Sequence, residues 1–428
     1  MLVAMTIAGS DSSGGAGLQA DLKAFASAGV HGAVAITAIT AQNTQRVANI
    51  FPLPSEQVVA QISAVLEDVH VSAAKTGMLY SGAIARAVAA RLNGEGIPLV
   101  VDPVMVAGVG DALSLADLAD AVRDELAPLA TVLTPNLPEA EVLLGHSIIG
   151  EDGAMQACRE LAALGSEAVL LKGGHAEGPT CRDLLFHRHR FTVMEHARVP
   201  IRGHGGGCTL AALLAANLAK GFSIRDAVAR SNEIVRQAVI DNYPIGHGVP
   251  VVNPLSPVYR KAASFDVSEQ LLRFRRKAID LIPGEWVPEE ECELAYALPS
   301  ARSSADICTL EACMTGRDCA SGPMFGASPR MAAIVLAAMK RDGSMRSALG
   351  LRCSADNVAL VRERGMRALP LKRASVIAYE NSEDISLNAR GLVPDAVFDL
   401  GRPENVIDLF LLGRSPEDIL NKLRKLLE

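Results

Sequence analysis

Short apolar runs alternate with longer stretches of helical period over roughly the first 240 positions. Residues 2–8 read as a buried strand, and behind the loop that follows, Leu18, Leu22 and Phe25 recur on one helical face. Gly29 closes that helix, and 34–39 supplies the next strand. Helices are predicted over 55–69, 81–92, 117–126, 137–144 and 155–164, with short strands at 73–78, 99–101, 131–133 and 168–171 between them. A hairpin over 183–193 and helices over 208–219 and 223–240 complete the segment. Strands bounded by helices of this length predict βαβ units and a mostly parallel sheet.

Between Asn242 and Lys261 the period breaks at Pro244, Gly246, Gly248, Pro250, Pro254 and Pro257, which predicts a domain boundary. We place a first domain at 1–250, a linker at 251–264 and a second domain at 265–428. The second opens on an amphipathic helix, 267–281, whose Arg273, Arg275, Arg276 and Lys277 read as a solvated face. Strands follow at 294–298 and 396–398. Helices follow at 329–340, capped by Ser328, at 354–364, and at 415–427 with Pro416 in its first turn. This is a second, smaller α/β domain.

Polar residues gather just past the strand ends of the first domain: Asp11, Gln42, Lys75, Asp102, Asn136, Glu139 and Lys172. Open α/β sheets place their ligands at that edge. The most pointed stretch is Gly203-His204-Gly205-Gly206-Gly207-Cys208-Thr209, which runs into an alanine-leucine helix. A glycine turn at a helix start aims free backbone N–H groups at one point and favours an anion there. Cys208 in that field is expected to lose its proton more easily than a free thiol, giving a base beside a phosphate cradle; the alternatives are a structural turn and an inert packed thiol. Asn136 and Glu139, three apart at a helix start, form either a capping box or a pair that holds Mg²⁺ through waters. Lys172 is either a phosphate-neutralising group or a surface lysine. The loop after the first strand lacks the GxGxxG fingerprint and a following acidic residue, which argues against a dinucleotide fold.

Composition narrows the classes. A chain of 428 residues with a formal net charge of -7 is not expected to bind nucleic acid. Its eight cysteines form no CxxC pair or disulfide framework, its start carries no signal peptide and no run spans a membrane, so a cytoplasmic location is expected. Aromatics make up only 4%, which predicts a core of small and aliphatic side chains.

The order of these pieces closely resembles the hydroxymethylpyrimidine and phosphomethylpyrimidine kinases of the ribokinase superfamily. The matching stretches are Ala8-Gly9-Ser10-Asp11 through Lys23, Thr40-Ala41-Gln42-Asn43, Lys75-Thr76-Gly77-Met78, Val101-Asp102-Pro103-Val104-Met105, Thr134-Pro135-Asn136-Leu137-Pro138-Glu139, Leu171-Lys172-Gly173-Gly174-His175 and the glycine turn. The resemblance implies a ribokinase-like three-layer domain that phosphorylates 4-amino-5-hydroxymethyl-2-methylpyrimidine and then its monophosphate, using ATP and Mg²⁺. It implies that Gly9, Ala16, Asp21, Gln42 and Met78 line the pyrimidine, that Gln42 hydrogen-bonds the ring, and that Asp21 holds a ring nitrogen or its substituent. It also implies that Lys172, Asn136 and Thr209 bind the nucleotide, that Asp102, Asn136 and Glu139 surround the metal, and that Gly205, Gly206, Gly207 and Cys208 form the catalytic turn. Two departures stand out: Gly206 replaces the family's threonine, and Ala107-Gly108 replaces its usual polar residues. A vitamin B6 kinase shares the fold and is the alternative.

The second domain resembles the archaeal thiamine-phosphate synthase domain, through Tyr296-Ala297-Leu298-Pro299, Gly316-Arg317, Phe325-Gly326-Ala327-Ser328, Arg346-Ser347-Ala348 and Pro394-Asp395. That resemblance implies coupling of the pyrimidine diphosphate to thiazole phosphate, with Arg317, Arg330 and Arg352 holding the anions. Arg330 stands where the family has histidine, Gly350-Leu351-Arg352 replaces Asn-Ile-Arg, and Arg402-Pro403-Glu404 replaces Gly-Lys-Glu. An arginine cannot take a proton at neutral pH, so a domain that binds thiamine phosphate without catalysis is the alternative. A homo-oligomer is expected.

Overall fold

The computed structural model describes residues 1–106, 110, 111, 113–173, 178, 180–199, 203–278, 281–288, 292–312, 322–373, 385–387, 393–399 and 407–428. Arg317 and residues 107–108, 174–175 and 402–404, all singled out above, lie outside them. The chain divides into two compact units, Met1–Val258 and Tyr259–Glu428.

In the first unit the chain runs β1 (Val3–Ala8), α1 (Gly17–Ser27), β2 (His31–Ile36), β3 (Ala38–Gln42), β4 (Val47–Pro52), α2 (Ser55–Asp68), β5 (Ala73–Thr76), α3 (Gly82–Leu92) and β6 (Leu99–Val101). There follow α4 (Leu118–Ala121), β7 (Val132–Leu133), α5 (Leu137–Leu144), α6 (Gly150–Ala163), β8 (Ala168–Leu171), the hairpin β9 (Thr180–His187) and β10 (Arg190–Ala197), α7 (Gly206–Ala219) and α8 (Ile224–Ile240). Eight strands form one sheet in the order β10-β9-β8-β7-β6-β5-β1-β2. It is parallel from β8 through β2; β9 runs antiparallel to β8, and β10 antiparallel to β9.

Both faces of the sheet are covered, which is why its inner strands are mostly apolar, with Thr6 of β1 and Lys75 and Thr76 of β5 as buried exceptions. Alternate residues such as Met5, Ile7, Leu99, Val101, Val169 and Leu171 pack into a core with α2, α3, α5 and α6. Their neighbours Ala4, Val100 and Leu170 pack with α1, α7 and α8 on the other face. Leu210 through Ala216 of α7 are all buried, so this helix is apolar around its whole circumference.

The strand expected over 34–39 is divided. β2 stays in the main sheet, while β3 leaves it and pairs with β4 as a separate two-stranded sheet. Buried Thr37 fixes the parting: its N–H donates to Ala8 O and its hydroxyl to Met78 O. This departure carries Gln42 over the strand ends. The helix expected over 117–126 holds α-geometry only through α4, then widens into a π turn over Val122–Leu126.

The helix foreseen from Val267 begins at Ser256, inside the proposed linker, and runs as α9 (Ser256–Ala278). The second unit then holds β11 (Cys292–Ala297), β12 (Ile307–Ala312), β13 (Met324–Phe325), α10 (Pro329–Met339), β14 (Ser347–Cys353), α11 (Ala355–Glu363), β15 (Ala368–Arg373), β16 (Ile385–Leu387), β17 (Ala396–Asp399), β18 (Ile407–Gly413) and α12 (Pro416–Leu427). Its strands form one sheet, β13-β12-β11-β14-β18-β17-β15-β16, antiparallel except between β15 and β17. Leu294, Tyr296, Leu409 and Leu411 meet α9 and α12 on one face, and Ala295, Ala297, Phe410 and Leu412 meet α10 on the other.

Candidate active site

The glycine turn opens α7 as its residues dictate. Gly205 is the N-cap in the left-handed region, φ 89°, and a Cβ there would overlap the Gly15 carbonyl oxygen. Gly17, φ +54°, is pressed in the same way against the Gly9 carbonyl oxygen. Only glycine meets both demands. No side chain caps α7, and among the described residues the N–H groups of Gly206, Gly207 and Cys208 find no acceptor; the first bond is Thr209 N–H to Gly205 O. Three convergent donors at the positive end of a fourteen-residue helix make an anion cradle. Around Gly206 nothing lies within 4 Å of an added Cβ, so the missing threonine leaves open space and no strain.

Facing Gly207 are the strand-end charges. A Cβ on Gly207 would lie 3.6 Å from Lys172 Nζ and 3.9 Å from Asp102 Oδ2. Lys172 is no surface lysine: its Nζ donates to Asp102 Oδ1 at 2.7 Å and lies 3.7 Å from Glu139 Oε2. Its ammonium is held above its ordinary pKa because Asp102 and Glu139 outweigh the effect of burial. Burial raises Glu139 to about 7; Lys172 pulls it down and Asp102 pushes it up. Asn136 and Glu139 close the capping box: Glu139 N–H donates to Asn136 Oδ1, and Asn136 N–H donates to Glu139 Oε2. Asn136 thus shapes the start of α5, and Asp102 Oδ2 and Glu139 Oε1 enter none of these bonds. Among the described residues no three acidic, histidine or cysteine side chains form a metal cage. Two carboxylates beside an anion cradle suit Mg²⁺ that arrives with phosphates and keeps its waters.

Of the expected site residues, the easily ionised Cys208 thiol is corrected, and two others prove deeply enclosed. Asp21 is fully buried on α1, where its Oδ2 accepts from Thr6 Oγ1 at 2.6 Å and from Lys75 Nζ at 3.0 Å. Burial pushes its carboxyl up against the pull of Lys75. Thr209 is also fully buried, and its hydroxyl oxygen meets no partner. Cys208, half-buried at the start of α7, is not a ready thiolate. Burial pushes its thiol up to about 11, Lys75 and the Gly17 N–H favour the thiolate, and Asp21 and Asp102 oppose it. Desolvation outweighs the helix field on which the sequence argument rested.

Gly9, Ala16, Gln42 and Met78 are brought together at the end of β1. Gly9 N–H donates to Met78 O, and the Met78 sulfur fills the space where Gly9 lacks a side chain. Ala16 N–H donates to Asp11 Oδ2 at 2.8 Å. Sequence reasoning placed Asp11 at the edge but missed its centrality, and it gave His204 no role although the motif contains it. Asp11 accepts from Ser13 N–H, the Ser13 hydroxyl, Gly15 N–H, Ala16 N–H and His204 Nε2. Burial opposes its ionisation, but these bonds, His204 foremost, hold the carboxyl down to about 2 from an ordinary 3.8. A depressed folded pKa means stability that is whole above the unfolded value and lost as pH falls through the folded one. Asp11 is therefore expected to contribute about 2 kcal/mol at neutral pH, lost between about pH 4 and pH 2. Urea midpoints of the wild type and Asp11→Asn should converge over that window, and a constant gap would contradict it.

In the second unit Arg330 lies on α10, its Nη2 2.7 Å from Asp408 Oδ2 and its guanidinium 4.9 Å from the centre of the Phe410 ring. Arg352 on β14 sits across from Asp408 on β18. Arg330 thus pairs with the Asp408 carboxylate, and Arg352 holds the register position opposite it. Arg317 lies outside the described residues. No helix among the described residues is long and apolar enough to cross a membrane.

The family model described as phosphomethylpyrimidine kinase matches residues 11–253, and that described as thiamine-phosphate synthase ThiN matches residues 277–425. A hydroxymethylpyrimidine/phosphomethylpyrimidine kinase of Mycobacterium tuberculosis is 44% identical over 261 residues, 60% of this chain and 94% of that protein. Among solved structures, the ADP complex of Bacillus subtilis pyridoxal kinase superposes with a TM-score of 0.56 at 34% identity, covering 60% of this chain and 99% of that one. A phosphomethylpyrimidine kinase from Clostridium difficile superposes with a TM-score of 0.51 at 39% identity, covering 56% and 100%.

Proposed function

The chain belongs to the phosphomethylpyrimidine kinase family, and from that premise we propose that its first unit moves the terminal phosphoryl group of ATP onto 4-amino-5-hydroxymethyl-2-methylpyrimidine and then onto the resulting monophosphate. The observation that carries this reading is the set of unpaired N–H groups of Gly206, Gly207 and Cys208 facing Lys172 and Asp102. In the first round the substrate's hydroxymethyl oxygen forms a bond to the terminal phosphorus as the bond to the ADP oxygen breaks, and the alcohol proton passes to Cys208 in its thiolate form, giving the thiol. The three N–H groups and Lys172 stabilise the negative charge on the transferring oxygens. Mg²⁺, which Asp102 and Glu139 would hold, supplies charge neutralisation between phosphate oxygens. In the second round the acceptor is already an anion, so Cys208 only helps to position it.

We further propose that the second unit joins the pyrimidine diphosphate to thiazole phosphate, giving thiamine phosphate and pyrophosphate, with Arg330 and Arg352 beside the anions. The Arg330–Asp408 pair favours a second reading, a unit that binds thiamine phosphate without catalysis, because Arg330 is engaged and cannot carry a proton. The likeness to pyridoxal kinases also favours a test of that substrate. The full-length protein is incubated with Mg·ATP and either the pyrimidine alcohol or pyridoxal, then with thiazole phosphate. Pyrimidine diphosphate followed by thiamine phosphate is the expected product series. Diphosphate without thiamine phosphate would remove the synthase, and phosphorylation of pyridoxal alone would remove the pyrimidine reading.

A further inference from the structure

Next to the transfer groups lies a hydrogen-bonded chain that the phosphoryl chemistry leaves unused. His204 is 2% exposed, with Nε2 3.0 Å from Asp11 Oδ2. Its backbone is clamped, N–H donating to Pro250 O while its carbonyl accepts from Val252 N–H. Gly15 leaves room for the ring, since a Cβ there would come 2.6 Å from His204 Cδ2. The third member is Gln42 on β3, whose N–H donates to Ser12 Oγ and whose carbonyl accepts the Ser12 hydroxyl. One end of its carboxamide, assigned as Nε2, lies 3.2 Å from His204 Nε2; the other, assigned as Oε1, lies 3.3 Å from Thr40 Oγ1.

Counting protons orients this chain. The ionised Asp11 carboxylate can only accept, so the proton between it and the imidazole sits on His204 Nε2. A ring nitrogen that carries a proton cannot accept from an amide N–H. The end of the Gln42 carboxamide at His204 is therefore its oxygen. Thr40 gives an independent count: its single hydroxyl proton goes to Ser10 O at 2.8 Å, so toward Gln42 it accepts, and the amide nitrogen belongs there. Both counts turn the carboxamide the same way, the reverse of the assigned orientation, which at an amide rests on the hydrogen-bond network alone. His204 Nδ1 is buried with no partner. In this tautomer it bears a lone pair rather than an unmet proton.

We propose that Asp11 and His204 form a specificity device: they fix which end of the Gln42 carboxamide donates and which accepts, so that the site prefers an aminopyrimidine over a hydroxypyridine. An aminopyrimidine offers a ring-nitrogen acceptor beside an exocyclic amine donor, the complement of an amide edge. The hydroxymethyl arm must point at the transferring phosphoryl group, so the heterocycle cannot turn over to match a reversed amide. His204 acts through Gln42 as a positioning residue, and the inference rests on the reading above in which Gln42 meets the heterocycle.

The test measures kcat and KM for the pyrimidine alcohol and for pyridoxal in the full-length protein, Gln42→Ala and His204→Ala. Each variant is expected to cut the kcat/KM preference for the pyrimidine by about tenfold or more, as expected when a polar group of the site loses its partner. The KM for the pyrimidine should rise about tenfold while kcat falls by no more than about threefold. If Gln42→Ala abolishes the preference and His204→Ala keeps it within about twofold, the device is overturned and the pyrimidine reading stands. If Gln42→Ala keeps the preference, Gln42 does not meet the heterocycle and the device falls with that contact, while the pyrimidine reading stands. Selective ¹⁵N-histidine labelling of the wild type decides the matter even if His204→Ala does not fold. A proton on Nε2 of His204 is expected, and a bare Nε2 with the proton on Nδ1 would overturn the proposal.

Discussion

Cys208→Ala is expected to slow phosphorylation of the hydroxymethyl substrate by ~10²–10⁴-fold, the usual worth of a positioned general base. The second phosphorylation should fall far less, because its acceptor needs no proton removed. The height of the thiol's pKa adds a signature. With the thiol pushed up to about 11 by burial, roughly one molecule in 10⁴ carries the thiolate at pH 7. The first-step kcat/KM of the wild type should then climb with pH well past neutrality, and Cys208→Ala should flatten the climb. Stopped assays of mono- and diphosphate from pH 6 to 10 would check both. Equal losses in the two rounds, or a slope that survives in the variant, would mean that the sulfur moves no proton.

Lys75→Met is expected to destabilise the first unit by ~3–5 kcal/mol. Lys75 and Asp21 are both fully enclosed and 3.0 Å apart, and Asp21 Oδ1 already lacks a partner. Removing the ammonium leaves a carboxylate with only the Thr6 hydroxyl, deep in an apolar layer. The double variant Asp21→Leu with Lys75→Met removes both charges and should recover most of the loss, since a buried pair and its apolar replacement are often of similar stability. Urea unfolding of the three proteins measures the coupling. A single-variant loss below about 1 kcal/mol would contradict an enclosed pair. Activity should also fall, because Lys75 is the main charge favouring the Cys208 thiolate.

The parallel sheet was legible because most of its strands are short apolar runs between helices of clear period, and the caps were legible because they are local. Ser328 accepts from Met331 N–H, Ser415 from Asp418 N–H and Asn136 from Glu139 N–H, each within three residues. Strands β12, β14, β15 and β18 went unforeseen. Buried on both faces, β18 reads Ile-Asp-Leu-Phe-Leu-Leu-Gly with no alternation to mark it, and Gly350 interrupts β14. The motif residues led to the right edge of the sheet but not to what each side chain touches there. The Asp21–Lys75 pair was not foreseen because its members are fifty-four positions apart, and local pattern cannot reveal such a pairing. Cys208 was misjudged for a related reason: a helix start is visible in sequence, whereas the desolvation that overrides it comes from the surrounding fold.

The contacts of Gly205 with the Gly15 carbonyl and of Gly17 with that of Gly9 have a practical meaning for anyone grafting parts between related kinases. The segment after β1 and the segment before α7 are keyed into each other without a methyl group to spare. Each therefore serves as the mould for the other, and a loop borrowed from a relative will seat only when its counterpart is borrowed with it.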